Sequence, residues 1–91
     1  MQLKRMPIPK SEAEWRHTAS AIIRANLKLA RMNHVDLVEA LRGLGVEESQ
    51  KTVSAKLGRG TFSATFMLQC LVACGTEQIE LPVGPGPAGR S

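Results

Sequence analysis

Residues 33–60 read NHVDLVEALRGLGVEESQKTVSAKLGRG, and the spacing of their apolar side chains sets the architecture. Leu37, Val38 and Leu41 recur at helical spacing, and Gly43 or Gly45 ends that pattern. Val53 and Leu57 lie four apart, so they share one face of a second helix, which Gly58-Arg59-Gly60 closes. With that pair turned inward, the opposite face carries Lys51, Thr52, Ala55 and Arg59. No acidic residue falls inside this helix, so its outer face is small, polar and basic. Such a face suits a groove lined by phosphates.

On the amino-terminal side, Ser11 and Glu14 have the S-x-x-E spacing of a capping box. They open a long helix that continues to about Met32. Trp15, Ala19, Ile22, Ile23, Leu27 and Ala30 form its apolar stripe. Off the stripe lie Arg16, Arg24, Lys28 and Arg31, a basic edge that is solvated, touches phosphates or faces a partner. Asn33 or His34 starts the next helix, to about Arg42, with Asp36 and Glu39 suited to its positive end. Leu44 and Val46 plug the gap beneath the connection. Ser49 caps the helix that follows, over about Gln50 to Leu57.

On the carboxy-terminal side, Thr61 or Ser63 caps a last helix from about Ser63 to Ala73, stopped by Gly75. Phe66, Met67, Cys70, Leu71 and Cys74 make one stripe, while Leu68 and Val72 fall on another side. A helix apolar on two sides needs a second surface. Either the helix self-associates, or the long first helix covers both sides. Residues 76–81, TEQIEL, alternate towards their end and predict a short strand if something pairs with them.

The ends of the chain are different in kind. Residues 1–10, MQLKRMPIPK, combine Lys4, Arg5 and Lys10 with two prolines and read as an extended basic arm. Such an arm is a mobile terminus or a reach along a nucleic-acid backbone. The tail PVGPGPAGRS is Pro/Gly-rich, and is expected to be disordered or loosely laid on the surface. The chain thus divides into an arm (1–10), a helical domain (11–75) and an extended segment with a tail (76–91).

Composition limits the alternatives. Ninety-one residues make one small domain. A hydrophobic share of 43% excludes disorder throughout, and only 3% aromatic residues leave an aliphatic core that favours helices over a sandwich. The fold class expected is all-α, a small bundle of four to five helices. The net charge of +4 suits nucleic acid or an acidic partner. Cys70 and Cys74 sit on adjacent turns of one helix face, a geometry unsuited to a bridge, and read as core thiols in a reducing cytoplasm. Neither a signal peptide nor an apolar run of spanning length is present, which predicts a cytoplasmic protein.

Together Val35 to Leu41, Leu44-Gly45-Val46, Thr52 to Gly60 and the closing Ala73-Cys74-Gly75 resemble the helix-turn-helix domains of the Cro and phage-repressor-like superfamily. The stretch Gly60 to Leu71, with Trp15, also looks like a small bacterial family of unknown function within that superfamily. The connection between the two motif helices is a few residues longer than the family's usual turn. The resemblance implies a compact helical domain, often a dimer, whose third helix enters the DNA major groove.

The expected function is therefore a small transcriptional regulator, binding double-stranded DNA as a homodimer through the helix at about 50–58. Phosphate contacts fall to Arg42, Lys56 and Arg59, with Arg24 or Arg31 beside them. Base reading falls to Gln50, Lys51, Thr52 and Ser54, with Ala55 allowing close approach. The rival reading is a protein-interaction or dimerisation module on the same fold. No enzyme is expected: His17 and His34 have no carboxylate or cysteine constellation around them. No metal site or cofactor is expected either, since Cys70 and Cys74 lack a second ligand pair and no Gly-rich phosphate loop exists.

Overall fold

The computed structural model describes residues 6–89. Four helices follow one another, α1 (Glu12–Leu29), α2 (His34–Gly43), α3 (Gln50–Arg59) and α4 (Ala64–Ala73), before a short 3-10 turn at Pro87–Gly89. The fold is all-α, and among the described residues no strand forms.

Each helix begins on a side chain that takes one of its orphan amides. Ser11 Oγ accepts from Glu14 N, Ser49 from Thr52 N and Ser63 from Phe66 N, each at 3.0–3.1 Å. At α2 the box is complete: Asn33 Oδ1 accepts from Asp36 N at 2.8 Å, and Asp36 Oδ2 accepts from Asn33 N at 2.9 Å. Such caps stabilise by about 1 kcal/mol each. The Ser11 box is only half formed, because the Glu14 carboxylate takes the Ser11 hydroxyl at 3.1 Å instead of its backbone amide.

Three helices end alike. Beyond the cap, the chain turns through the left-handed region at Arg31 (φ 57°), Gly45 (φ 82°) and Gly75 (φ 79°). The next amide then reaches back five residues: Met32 N to Leu27 O, Val46 N to Leu41 O and Thr76 N to Leu71 O, all at 2.9 Å. This is the Schellman arrangement. It stops α1 at Leu29, short of the expected Met32, and folds Met32 back against the core.

The core takes two residues from each helix, always four apart: Ile23 and Leu27, Leu37 and Leu41, Val53 and Leu57, Phe66 and Cys70. Both α1 and α2 pack across α3 and α4. The joint between α1 and α3 is polar and close. Ser20 Oγ donates to Leu57 O at 2.7 Å and Arg24 Nη2 donates to the same oxygen at 3.2 Å, satisfying a carbonyl of the last turn of α3. Gly60 (φ 69°) caps α3 directly against the Arg16 backbone, where no Cβ fits.

Two expectations are corrected. Trp15 is 49% exposed: α1 is eighteen residues long against ten for the other helices, and its first turn overhangs the core. Leu68 (63%) and Val72 (58%) stand in solvent, so α1 does not cover both sides of α4. Within the single chain residues 76–81 form no strand, and Ile79 and Leu81 are exposed. That segment is held by its start, where Thr76 Oγ1 donates to Asn26 Oδ1 at 3.1 Å. Beyond it the tail is laid down more firmly than its composition suggests. Met6 N donates to Pro82 O at 2.6 Å beside an isolated bridge from Met6 to Val83, and both Pro9 and Pro82 are buried. Lys4 and Arg5 of the expected arm lie outside the described residues.

Candidate nucleic-acid interface

The orientation of α3 decides what this domain offers to a partner. Val53 and Leu57 are fully buried, which turns Lys51, Thr52 and Arg59 into solvent with Ala55 half-buried between them. Gln50 and Ser54 are also exposed, on the flank towards α2. There Ser54 Oγ lies 2.7 Å from His34 Nδ1, a hydrogen bond that ties α3 to the first turn of α2. Thr52 is held as well, its Oγ1 accepting from Ser49 Oγ at 2.9 Å. Neither Asp nor Glu stands on α3, and its last turn carries Lys56 and Arg59, as a helix carboxy terminus favours.

Two expected phosphate contacts are otherwise engaged. Lys56 turns to the opposite flank, where Nζ sits 3.1 Å from Glu48 Oε2 and 4.4 Å from the centre of the Phe66 ring. With both side chains of that pair largely withdrawn from water, Lys56 serves the packing of α3 on α4. Arg42 lies 2.9 Å from Glu39 and 3.9 Å from Glu47, in exposed ion pairs that are individually weak. Arg59 Nε donates to Thr61 Oγ1 at 3.4 Å and is otherwise open to solvent.

A shallow groove of about 490 Å³ opens where the second half of α1 meets the starts of α2 and α3, lined by Arg24, Lys28, Asn33, His34 and Gln50. Two helix amino termini, whose partial positive charge favours anions, adjoin two cationic side chains there. Arg31 is exposed just beyond. The structure therefore exposes Gln50, Lys51, Thr52, Ser54 and Arg59 on α3 with Ala55 half-buried, sets Lys28 near its start and ties Arg24 to its last turn. It separates Lys56 from them.

The Glu48–Lys56–Phe66 cluster and the Ser20 and Arg24 bonds to Leu57 O are not visible in the sequence. Their partners are 8 to 37 positions apart, beyond any local spacing rule.

The cysteines are thiols. Burial pushes the Cys70 thiol up to about 12, helped by Cys74 and Glu48 and opposed by Lys56. Cys74 is half-buried, its Sγ 3.5 Å from both Leu71 O and Thr76 Oγ1. Among the described residues no group of three or more His, Cys, Asp or Glu side chains is placed to hold a metal ion. No helix among them is long and apolar enough to cross a membrane.

No curated protein and no solved structure matches the chain. Residues 15–79, spanning α1 from Trp15 through the whole of α4, match the model of a domain of unknown function, DUF6471, and the chain belongs to that family.

Proposed function

We propose that this chain is a small DNA-binding protein of the helix-turn-helix kind, a transcriptional regulator that lays α3 in the major groove. One observation carries the reading. The two apolar residues of α3 are wholly buried, so a helix without a carboxylate presents Lys51, Thr52 and Arg59 outward. Phosphate neutralisation falls to Lys51, Arg59, Arg24 and Lys28, which supply affinity. Base edges fall to Gln50, Lys51, Thr52 and Ser54 near the start of the helix, with Ala55 small enough to admit a thymine methyl. The helix amino termini beside Arg24 and Lys28 suit a backbone phosphate. Kinship with the Cro and phage-repressor-like superfamily belongs to this proposal.

Selection from a randomised duplex pool, followed by fluorescence anisotropy, tests it. Lys51→Ala and Arg59→Ala each weaken binding with helical content unchanged, and each lowers the salt slope by about one. Unchanged affinity in both variants refutes α3 as the binding surface.

A second reading has its own support. Leu68 and Val72 lie one turn apart on α4 and remain more than half exposed. They fit a homodimer contact that would present two copies of α3 to the duplex, or a protein-interaction surface on a domain without a DNA role. A pull-down that retains one defined protein, with no shift of any duplex, favours the latter.

A further inference from the structure

Beyond the face of α3, a groove of about 300 Å³ runs between the first half of α1 and the last turn of α3. Its charged walls are Arg16 and Arg24 from one side and Arg59 from the other, with His17 at the rim. Among the described residues no carboxylate lines it. Each guanidinium is tethered by one donor only among the described residues. Arg16 Nε reaches Glu12 at 3.4 Å, Arg59 Nε reaches Thr61 at 3.4 Å, and Arg24 spends one Nη on Leu57 O. Among the described residues these contacts leave the Nη groups of Arg16 and Arg59, and one Nη of Arg24, available to a ligand.

A helix carboxy terminus ordinarily repels anions. Here that objection is lessened, because Leu57 O already accepts from Ser20 and Arg24. Gly58 leaves the wall beside the arginines free of a side chain, with nothing within 4 Å of where a Cβ would stand, so a ligand can approach the backbone there.

We propose that this groove binds a phosphate group, held by the forks of Arg16, Arg24 and Arg59. Three guanidiniums on one groove, with a carboxylate (Glu12) paired only to Arg16, match the tetrahedral oxygens of phosphate better than a planar carboxylate. The phosphate comes either from a nucleic-acid backbone passing beside α3 or from a free phosphorylated ligand. Arg24 and Arg59 also serve the proposed DNA-binding reading, on which the backbone source rests; Arg16 is the residue this groove adds.

Thermal melting of the full chain in sodium phosphate, against sodium chloride at equal ionic strength, tests the free-ligand source, with ATP as a second probe. Anisotropy with a short duplex tests the backbone source. The variants are Arg16→Gln, whose side chain is exposed and makes only a surface ion pair, and Arg90→Gln as an equal loss of charge in the tail. A melting temperature raised by phosphate or ATP in the wild type but not in Arg16→Gln supports a free phosphorylated ligand. No such rise, with duplex affinity falling about five- to tenfold in Arg16→Gln and less than twofold in Arg90→Gln, supports the nucleic-acid backbone. If neither phosphate nor ATP raises the melting temperature, and Arg16→Gln binds duplex no worse than Arg90→Gln, the proposal is overturned. Lys51→Ala lies outside the groove, so its effect on duplex binding reports the α3 reading separately.

Discussion

Replacing Gly60 by alanine tests the joint on which the position of α3 depends. Two costs add at this residue. The left-handed backbone at φ 69° disfavours any Cβ by about 1 kcal/mol. The added carbon would also stand 2.8 Å from the Arg16 carbonyl carbon and Cβ, and closer still to the Arg16 oxygen. Two of those three atoms are backbone in the second turn of a long helix, so relief requires α1 and α3 to part. Overpacking of this kind costs about 1–3 kcal/mol. The sum is about 2–4 kcal/mol, or a fall of about 10–25 °C in melting temperature for a domain of this size. Gly45→Ala is the matched control. Its φ is 82°, yet nothing lies within 4 Å of the added carbon, so only the backbone term of about 1 kcal/mol applies. Thermal denaturation followed by circular dichroism reads both. If Gly60→Ala melts no lower than Gly45→Ala, the close approach of α1 to the cap of α3 is not holding the motif in place.

Further outcomes follow from the same contacts. Arg31→Gly removes a side chain from a left-handed residue (φ 57°) and should stabilise the domain by about 1 kcal/mol in urea titration; a loss of stability would mean that the Arg31 side chain makes a compensating contact. Maleimide should modify Cys74 well before Cys70 in the folded protein, and equal rates by mass spectrometry would contradict the burial of Cys70. The Cys70 thiol ionises near 9.0 when unfolded and near 12 when folded. Its contribution is whole below pH 9 and is lost as pH rises towards 12, so Cys70→Ala should flatten the alkaline decline in stability. If α4 carries the proposed homodimer contact, Leu68→Glu should turn a dimer into a monomer in light scattering without loss of helix, and an unchanged mass would remove α4 as the interface.

Much of the fold is legible because its signals are local. Ser11, Asn33, Ser49 and Ser63 each cap the helix that follows, and each acts within three residues. The pairs Leu37 and Leu41, and Val53 and Leu57, show their common face by spacing alone. What escapes is set by distance or by length. Trp15 fits the α1 stripe by periodicity, but periodicity cannot say where a long helix outruns its neighbours. Arg31 ends α1 in a conformation usually left to glycine, so the stop at Leu29 carries no punctuation in the sequence. At the candidate interface, Lys51 and Arg59 were placed by the burial of Val53 and Leu57. Lys56 was not, because its direction depends on Glu48 and Phe66 in other segments.

The most direct test is amide chemical-shift mapping of the full chain on addition of a selected duplex. The largest changes should fall on residues 50–59, with a second group at Asn33 and His34 at the start of α2. A duplex that leaves the amides of α3 unmoved would contradict the proposal that this helix is the surface DNA touches.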